Sequence, residues 1–167
     1  MPAPFVRLME WIGPRRALRL MALYPPYLGA GVAVEDVDLA AARITVAMPL
    51  RPWTRNAVGT HFGGSLYSMC DPWFMLLMMI RLGDDFVVWD KSAAIDFRRP
   101  GRGRVRATFL LDADTVERVR GEALATGRCR PVLRADVVDD DGELIAQVTK
   151  TLSVRPRAPR GPVPQTA

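Results

Sequence analysis

The stretch HFGGSLYSMCDPWFMLLMMIRLG, His61 to Gly83, holds the densest apolar run of the chain, and the way it folds decides the rest. Leu66, Met69, Cys70, Trp73, Phe74, Met75, Leu76, Leu77, Met78, Met79 and Ile80 leave no broad polar face, so a helix here is apolar nearly all round. Such a helix must be wrapped, by a curved sheet and by either the N-terminal segment or a second subunit. Two starts are open. A helix opening near Ser65 meets Pro72, which removes the hydrogen bond to the carbonyl of Ser68 and leaves Asp71 at a kink. A helix opening at Asp71 uses the acid as N-cap and Pro72 at its first position. Gly83 closes the helix in both cases. The run Pro72 to Ile80 is roughly half the ~18 apolar residues that a membrane span needs, which marks it as buried.

The flanking sequence supplies the wrapping. Upstream, Gly31 to Leu39 (GVAVEDVDL) and Arg43 to Leu50 (RITVAMPL) read as two strands. Downstream, Phe86 to Phe97 and Arg104 to Leu111 are strands around the turn RRPGRG, and Val132 to Val138 and Leu144 to Val154 flank the hairpin signal DDDG at Asp139 to Gly142. Thr115 to Leu124 reads as a short helix, and Tyr24 to Leu28 (YPPYL) as a breaker. Helix, two strands, apolar helix, then a run of strands describes an α+β domain with one antiparallel sheet; the βαβ alternation of a doubly wound fold is absent. The expected organisation is an N-terminal helical segment at 1–28, a core domain at 29–154 and a disordered Pro/Arg-rich tail at 155–167, to which no role is assigned.

With 167 residues, 49% hydrophobic and 25% charged, the chain has the composition of one ordinary globular domain. Two cysteines, Cys70 and Cys129, lie in no CxxC or Cys/His cluster, so buried free thiols, a reducing compartment and no structural metal are expected. The formal charge of +5 is concentrated in the tail. Without Arg155, Arg157 and Arg160, 20 basic residues face 18 acidic ones, a net of +2, too little for phosphate-driven binding of nucleic acid. The N-terminal stretch has no uninterrupted apolar core or cleavage site of a signal peptide. Its Arg15, Arg16 and Arg19 beside Leu18, Leu20 and Met21 fit a membrane-surface helix, but better a helix packed on the domain, so a cytoplasmic protein without stable membrane insertion is expected.

Chemistry-bearing residues concentrate before the apolar helix. Asn56, Thr60, His61, Gly63, Gly64 and Ser65 fall within ten residues, and His61 is the only histidine. Glycines at a helix entrance let a ligand approach the unpaired N–H groups of the first turn, which can donate to a developing oxyanion; the plainer reading is a loop that needs positive φ. Asp71 among apolar neighbours is costly unless paired or functional, and as an Asp-Pro pair it also makes a good helix start. Arg98, Arg99, Arg102, Arg104 and Arg106 carry no acid among them and suit phosphates, or form a solvated turn. Asp90, Lys91 and Ser92 interrupt an apolar strand, as a buried ion pair or as site residues.

GGSLYSMCD (Gly63 to Asp71) and IDFRRPG (Ile95 to Gly101) resemble, in the right order, the helix opening and the Phe-x-Arg-Pro-Gly turn of the PaaI-like branch of hot-dog-fold acyl-CoA thioesterases. The longer pattern RNAVGTHFGGSLYSMCD with VWDKSAAIDFRRPGRG is similar to a hot-dog subfamily labelled tetrameric acyl-CoA thioesterase-like. The resemblance spans about Gly31 to Val154. It implies a hot-dog fold, a curved antiparallel sheet around a central helix, assembled as a homodimer or homotetramer. It implies Asp71 as general base or nucleophile, the N–H of Gly64, with Gly63, polarising the thioester carbonyl, and Asn56 holding the acyl group or water. Phe62 stands where the relatives have histidine, with His61 displaced by one. Asp90 and Ser92 fall near the water-orienting position of the opposing strand. The implied activity is hydrolysis of a medium-chain or aryl acyl-CoA in fatty acid metabolism. CoA enters as part of the substrate, the arginines engage its phosphates, and no cofactor or metal is needed. Alternatives are a non-catalytic acyl-CoA or lipid-binding protein and a hot-dog dehydratase or hydratase built on His61 and Asp71.

Overall fold

The computed structural model describes residues 4–158. The chain opens with three short helices, α1 (Pro4–Ile12), α2 (Pro14–Leu20) and α3 (Pro25–Ala30), then β1 (Ala33–Asp38) and β2 (Arg43–Met48). Next come α4 (Gly63–Cys70) and α5 (Trp73–Leu82), then β3 (Phe86–Phe97), β4 (Val105–Leu110), α6 (Ala113–Thr126), β5 (Val132–Asp139) and β6 (Leu144–Pro156). The six strands form one antiparallel sheet in the order β1-β2-β4-β5-β6-β3. Its inner face receives α4 and α5, the hot-dog arrangement.

Trp73, Phe74, Leu77 and Met78 of α5 pack on Phe109 of β4, Val137 of β5 and Val148 and Leu152 of β6 in one apolar cluster. Phe74 and Phe109 meet edge to face at 5.1 Å. Much of the rest of the helix is covered from within the chain, with Met75, Met79 and Ile80 left partly exposed. Leu18, Tyr27 and Ala30 of the N-terminal helices join the same cluster, with the ring of Tyr27 5.8 Å from that of Trp73. α6 closes the far end, where Arg120 donates to the carbonyl of Arg81 and lies over Phe86. Among the described residues no helix is long and apolar enough to cross a membrane.

Several expectations need correction. Tyr24 to Leu28 does not only break the chain: Pro25 stands at the first turn of α3, where a missing N–H costs nothing, and Tyr24 forms its N-cap. The helical segment thus runs past residue 28 and is part of the core. The helix expected at 115–124 is longer, because Asp112 caps it by accepting from the Thr115 N–H at 2.6 Å, and Gly127 at φ 79° ends it. The tail does not begin at residue 155. β6 runs to Pro156, and Arg157 donates from its main chain to the Asp85 carbonyl at 2.7 Å; the remainder of the tail lies outside the described residues. Cys70 and Cys129 are both free and buried.

Candidate active site

The choice between two helix starts is resolved in favour of both signals. α4 opens at Gly63, and the helix breaks at Asp71 and Pro72 before α5 resumes at Trp73. Pro72 has no N–H for the carbonyl of Ser68, so the Asp71 N–H takes that acceptor instead, at 3.1 Å. The carbonyl of Met69 receives the indole N–H of Trp73 at 2.7 Å. The break therefore leaves these two carbonyls satisfied, and it turns the Asp71 carboxylate out of the apolar packing to a half-exposed position.

One oxygen of Asp71 accepts from Nζ of Lys150 at 2.8 Å. The same ammonium lies 3.0 Å from Asp90 Oδ2. Lys150 is 1% exposed, on the inner face of β6 between Val148 and Leu152. Burial alone would depress the lysine, but hydrogen bonds and charge from both carboxylates outweigh it and hold its pKa above the ordinary value. Burial pushes Asp90 upward against the opposing pull of Lys150, and its Oδ1 is buried with no partner among the described residues. Tyr27 and Cys70 adjoin this cluster. Burial raises the phenol, with Asp71 adding to it, and pushes the Cys70 thiol up to about 12, so both are neutral. The Tyr27 hydroxyl is buried and unpartnered among the described residues.

Asp90 and Ser92 do not share a face. In a regular strand residues i and i+2 would, but β3 carries a bulge at Lys91: Asp90 pairs with Leu152 and Ser92 with Thr151. Asp90 points inward to Lys150, while Ser92 faces outward, away from Asp71. The phase shift also brings Ala93, Ile95 and Phe97 inward, opposite Lys150, Val148 and Ala146.

At the other end of α4, Gly63 and Gly64 have no positive φ, so the loop-conformation reading of these glycines is not the operative one. The reason is space. A Cβ on Gly64 would fall 2.4 Å from the Phe62 ring, and one on Gly63 would fall 2.9 Å from Phe97. Among the described residues neither N–H donates to a protein acceptor, whereas those of Ser65 and Leu66 reach the Phe62 carbonyl. Phe62 and Phe97 are 57% and 55% exposed, so the helix entrance is flanked by two uncovered aromatic rings beside the edge strand β3.

Asn56 and His61 build the loop that delivers this entrance. The Asn56 carboxamide oxygen accepts from the N–H groups of Val58 and Thr60, and its nitrogen donates to Thr60 Oγ1 and the His61 carbonyl. All four of its hydrogen-bonding positions are taken internally. His61 is buried, with Nε2 2.7 Å from the Gly103 carbonyl and its main-chain N–H on the carbonyl of Gly101. Burial lowers its pKa, partly offset by the Gly103 bond. The ring packs so closely on Gly101 that a Cβ there would lie 2.9 Å from it. His61 thus ties the arginine turn to the helix entrance.

Most of the arginines find acids that are remote in sequence, and Arg98 finds one two residues away. Arg99 pairs with Glu143, Arg104 and Arg106 with Glu35, Arg106 also with Asp140 at 3.7 Å, and Arg98 with Asp96 at 3.8 Å. Arg102 has no carboxylate partner among the described residues. Of the residues singled out in the sequence, Asp71 and Asp90 are brought together; Gly63 and Gly64 lie at the opposite end of α4. The sequence reading missed Lys150 and Tyr27. The signal for Lys150 was its parity: in QVTKTLSV it occupies the inward register of Val148, Leu152 and Val154.

A curved antiparallel sheet wrapped round a broken apolar helix, with an acid at the break, defines a hot-dog-fold protein. Many solved structures share the architecture, among them these three. A protein of unknown function from Pseudomonas aeruginosa, described as a probable thioesterase, superposes with a TM-score of 0.74 at 22% identity, over 94% of this chain and 99% of that one. A thioesterase from Haemophilus influenzae gives 0.63 at 17%, over 85% and 90%. A putative thioesterase from Shewanella oneidensis gives 0.62 at 18%, over 86% and 98%. The chain belongs to the family described as a domain of unknown function, DUF4442, whose pattern matches residues 13–154. No curated protein sequence matches it.

Proposed function

We propose that this protein is an acyl-CoA thioesterase. The observation that carries the reading is Asp71, a half-exposed carboxylate with one oxygen fixed by a buried ammonium, at the end of the helix whose first two N–H groups have no protein acceptor among the described residues. The thioesterase descriptions of the structural relatives support it. Asp71 takes a proton from water as the water oxygen attacks the thioester carbonyl carbon. The N–H groups at Gly64 and Gly63 receive the negative charge that forms on the carbonyl oxygen, each worth about 2.7–4 kcal/mol in the transition state. Collapse breaks the C–S bond, and the departing sulfur takes the proton back from Asp71.

Gly64 and Asp71 are seven residues apart on one helix, about 10 Å along its axis, farther than both can be from one reacting carbon. The site is therefore assembled between two chains, Gly64 of one facing Asp71 of the other. The exposed rings of Phe62 and Phe97 beside the open edge of β3 fit that interface. The acyl or aryl tail lies along Tyr67 and the methionines Met75 and Met79, which are partly buried and adapt to irregular apolar shapes. Arg98 and Arg102, whose charges are least compensated, hold the CoA phosphates. The dehydratase alternative is disfavoured because the His61 ring is buried and occupied by Gly103. The test is thiol release from a panel of acyl- and aryl-CoA esters, with ligand binding followed by thermal shift. Turnover that Asp71→Asn abolishes while binding persists supports the reading; stabilisation by CoA esters with no release would make this a binding protein.

A further inference from the structure

The cluster at the helix break contains one more carboxylate than a paired lysine needs. An ammonium with 1% exposure cannot be left without a counter-ion, because removing one partner of a buried pair strands the other's charge. If Asp71 were the sole partner of Lys150, taking a proton would do just that. Asp90 changes this. It stands 3.0 Å from the same nitrogen, on a different strand, as the last inward residue of the alternation Phe86, Val88, Asp90 before the bulge at Lys91.

We infer that Lys150 and Asp90 are positioning residues for Asp71: Lys150 holds the carboxylate in place at the helix break, and Asp90 keeps the ammonium compensated whenever Asp71 carries a proton. The inference rests on the reading of Asp71 as the base. With Asp71 ionised the trio has a net charge of −1, and with Asp71 protonated it is neutral, so neither state isolates a buried charge. The other titratable groups facing the trio are Tyr27 from α3 and Cys70 from α4, both neutral, so the balance is set by these three residues. From β5, the residue opposite Lys150 is Leu133, which contributes no charge. Asp90 then serves charge balance at the lysine, and no second acid is needed for proton transfer.

The two positioning residues should act on Asp71 in opposite directions. Asp90→Asn leaves Lys150 dependent on Asp71 and moves the acid limb of the kcat/KM profile to lower pH. Lys150→Met leaves two carboxylates facing each other and moves it to higher pH; a displacement of about one pH unit or more is expected in each case. The Asp71 side chain is titrated in parallel by carbon-13 NMR in the wild-type protein and both variants, a readout that needs no turnover. Opposite displacements in that titration support the inference, even if no CoA ester is hydrolysed, in which case the thioesterase reading alone fails. An Asp71 titration that neither substitution moves, or that both move the same way, overturns it. Should Lys150→Met fail to fold, Asp90→Asn decides alone, with movement to lower pH supporting and no movement overturning.

Discussion

The indole N–H of Trp73 bonds the main-chain oxygen of Met69 at 2.7 Å, replacing with a side chain the backbone bond that the helix break removes. The Trp73→Phe variant retains most of the buried ring but leaves that oxygen unsatisfied in a dry interior. Urea unfolding should show a loss of about 1–3 kcal/mol.

The break itself is set by Pro72. Pro72→Ala restores an N–H at this position and lets α4 and α5 join as one helix, rotating Asp71 away from Lys150. Thiol release should fall by more than about tenfold, since displacements near 1 Å at a reacting group are that costly. The melting temperature should stay at or above that of the parent, which separates misplacement from misfolding.

Replacing the carboxylate is a harsher test of the same residue. Asp71→Asn retains shape and a hydrogen-bond acceptor for Lys150 but removes the base, and kcat should drop at least about 100-fold. Circular dichroism of the variant should match that of the wild-type protein.

At the helix entrance, the Gly64→Ala methyl collides with the Phe62 ring. Thiol release should fall by about tenfold or more as the ring or the N–H groups shift. The double variant Phe62→Ala with Gly64→Ala removes the obstruction and should recover most of the loss; no recovery would mean that the methyl itself, and not the ring, disturbs the N–H groups.

His61 gives the fold a pH dependence of definite sign. Its folded-state pKa lies below the ordinary 6.5, so between the two values the unfolded chain binds more protons. Stability should therefore fall as pH drops through and below about 6.5, once His61 must gain a buried charge. Because His61 is the only histidine, His61→Gln, whose amide can still donate to the Gly103 carbonyl, should flatten unfolding free energy between pH 5 and about 6.5.

Much of this architecture could be read from periodicity. The apolar run without a polar face required wrapping, and the alternating segments on either side supplied a sheet. Local rules also identified Asp71 and Pro72 as a junction, although spacing alone left the helix start open because Ser65 and Asp71 signal equally well. Pairings between distant strands were beyond reach. The arginine turn looked uncompensated since Glu35 and Glu143 approach it only in the folded chain. Lys150 was hidden for a different reason: a lysine in a strand is ordinarily solvated, and only its parity, weighed against two acids far away in sequence, marks it as internal. The grouping of Asp90 with Ser92 failed because a bulge is invisible in an alternation count.

That bulge makes β3 a text with two reading frames. Phe86, Val88 and Asp90 face the interior at even positions; Ala93, Ile95 and Phe97 do so at odd ones, and Lys91 is the inserted letter between them. Exchanging Lys91 for another residue leaves both frames intact, and deleting it should join them into one regular strand with the same residues inward. Keeping Lys91 without the bulge would instead turn Ser92 inward and expel Phe97 from the helix entrance. At this point the chain specifies its site by counting residues rather than by choosing them.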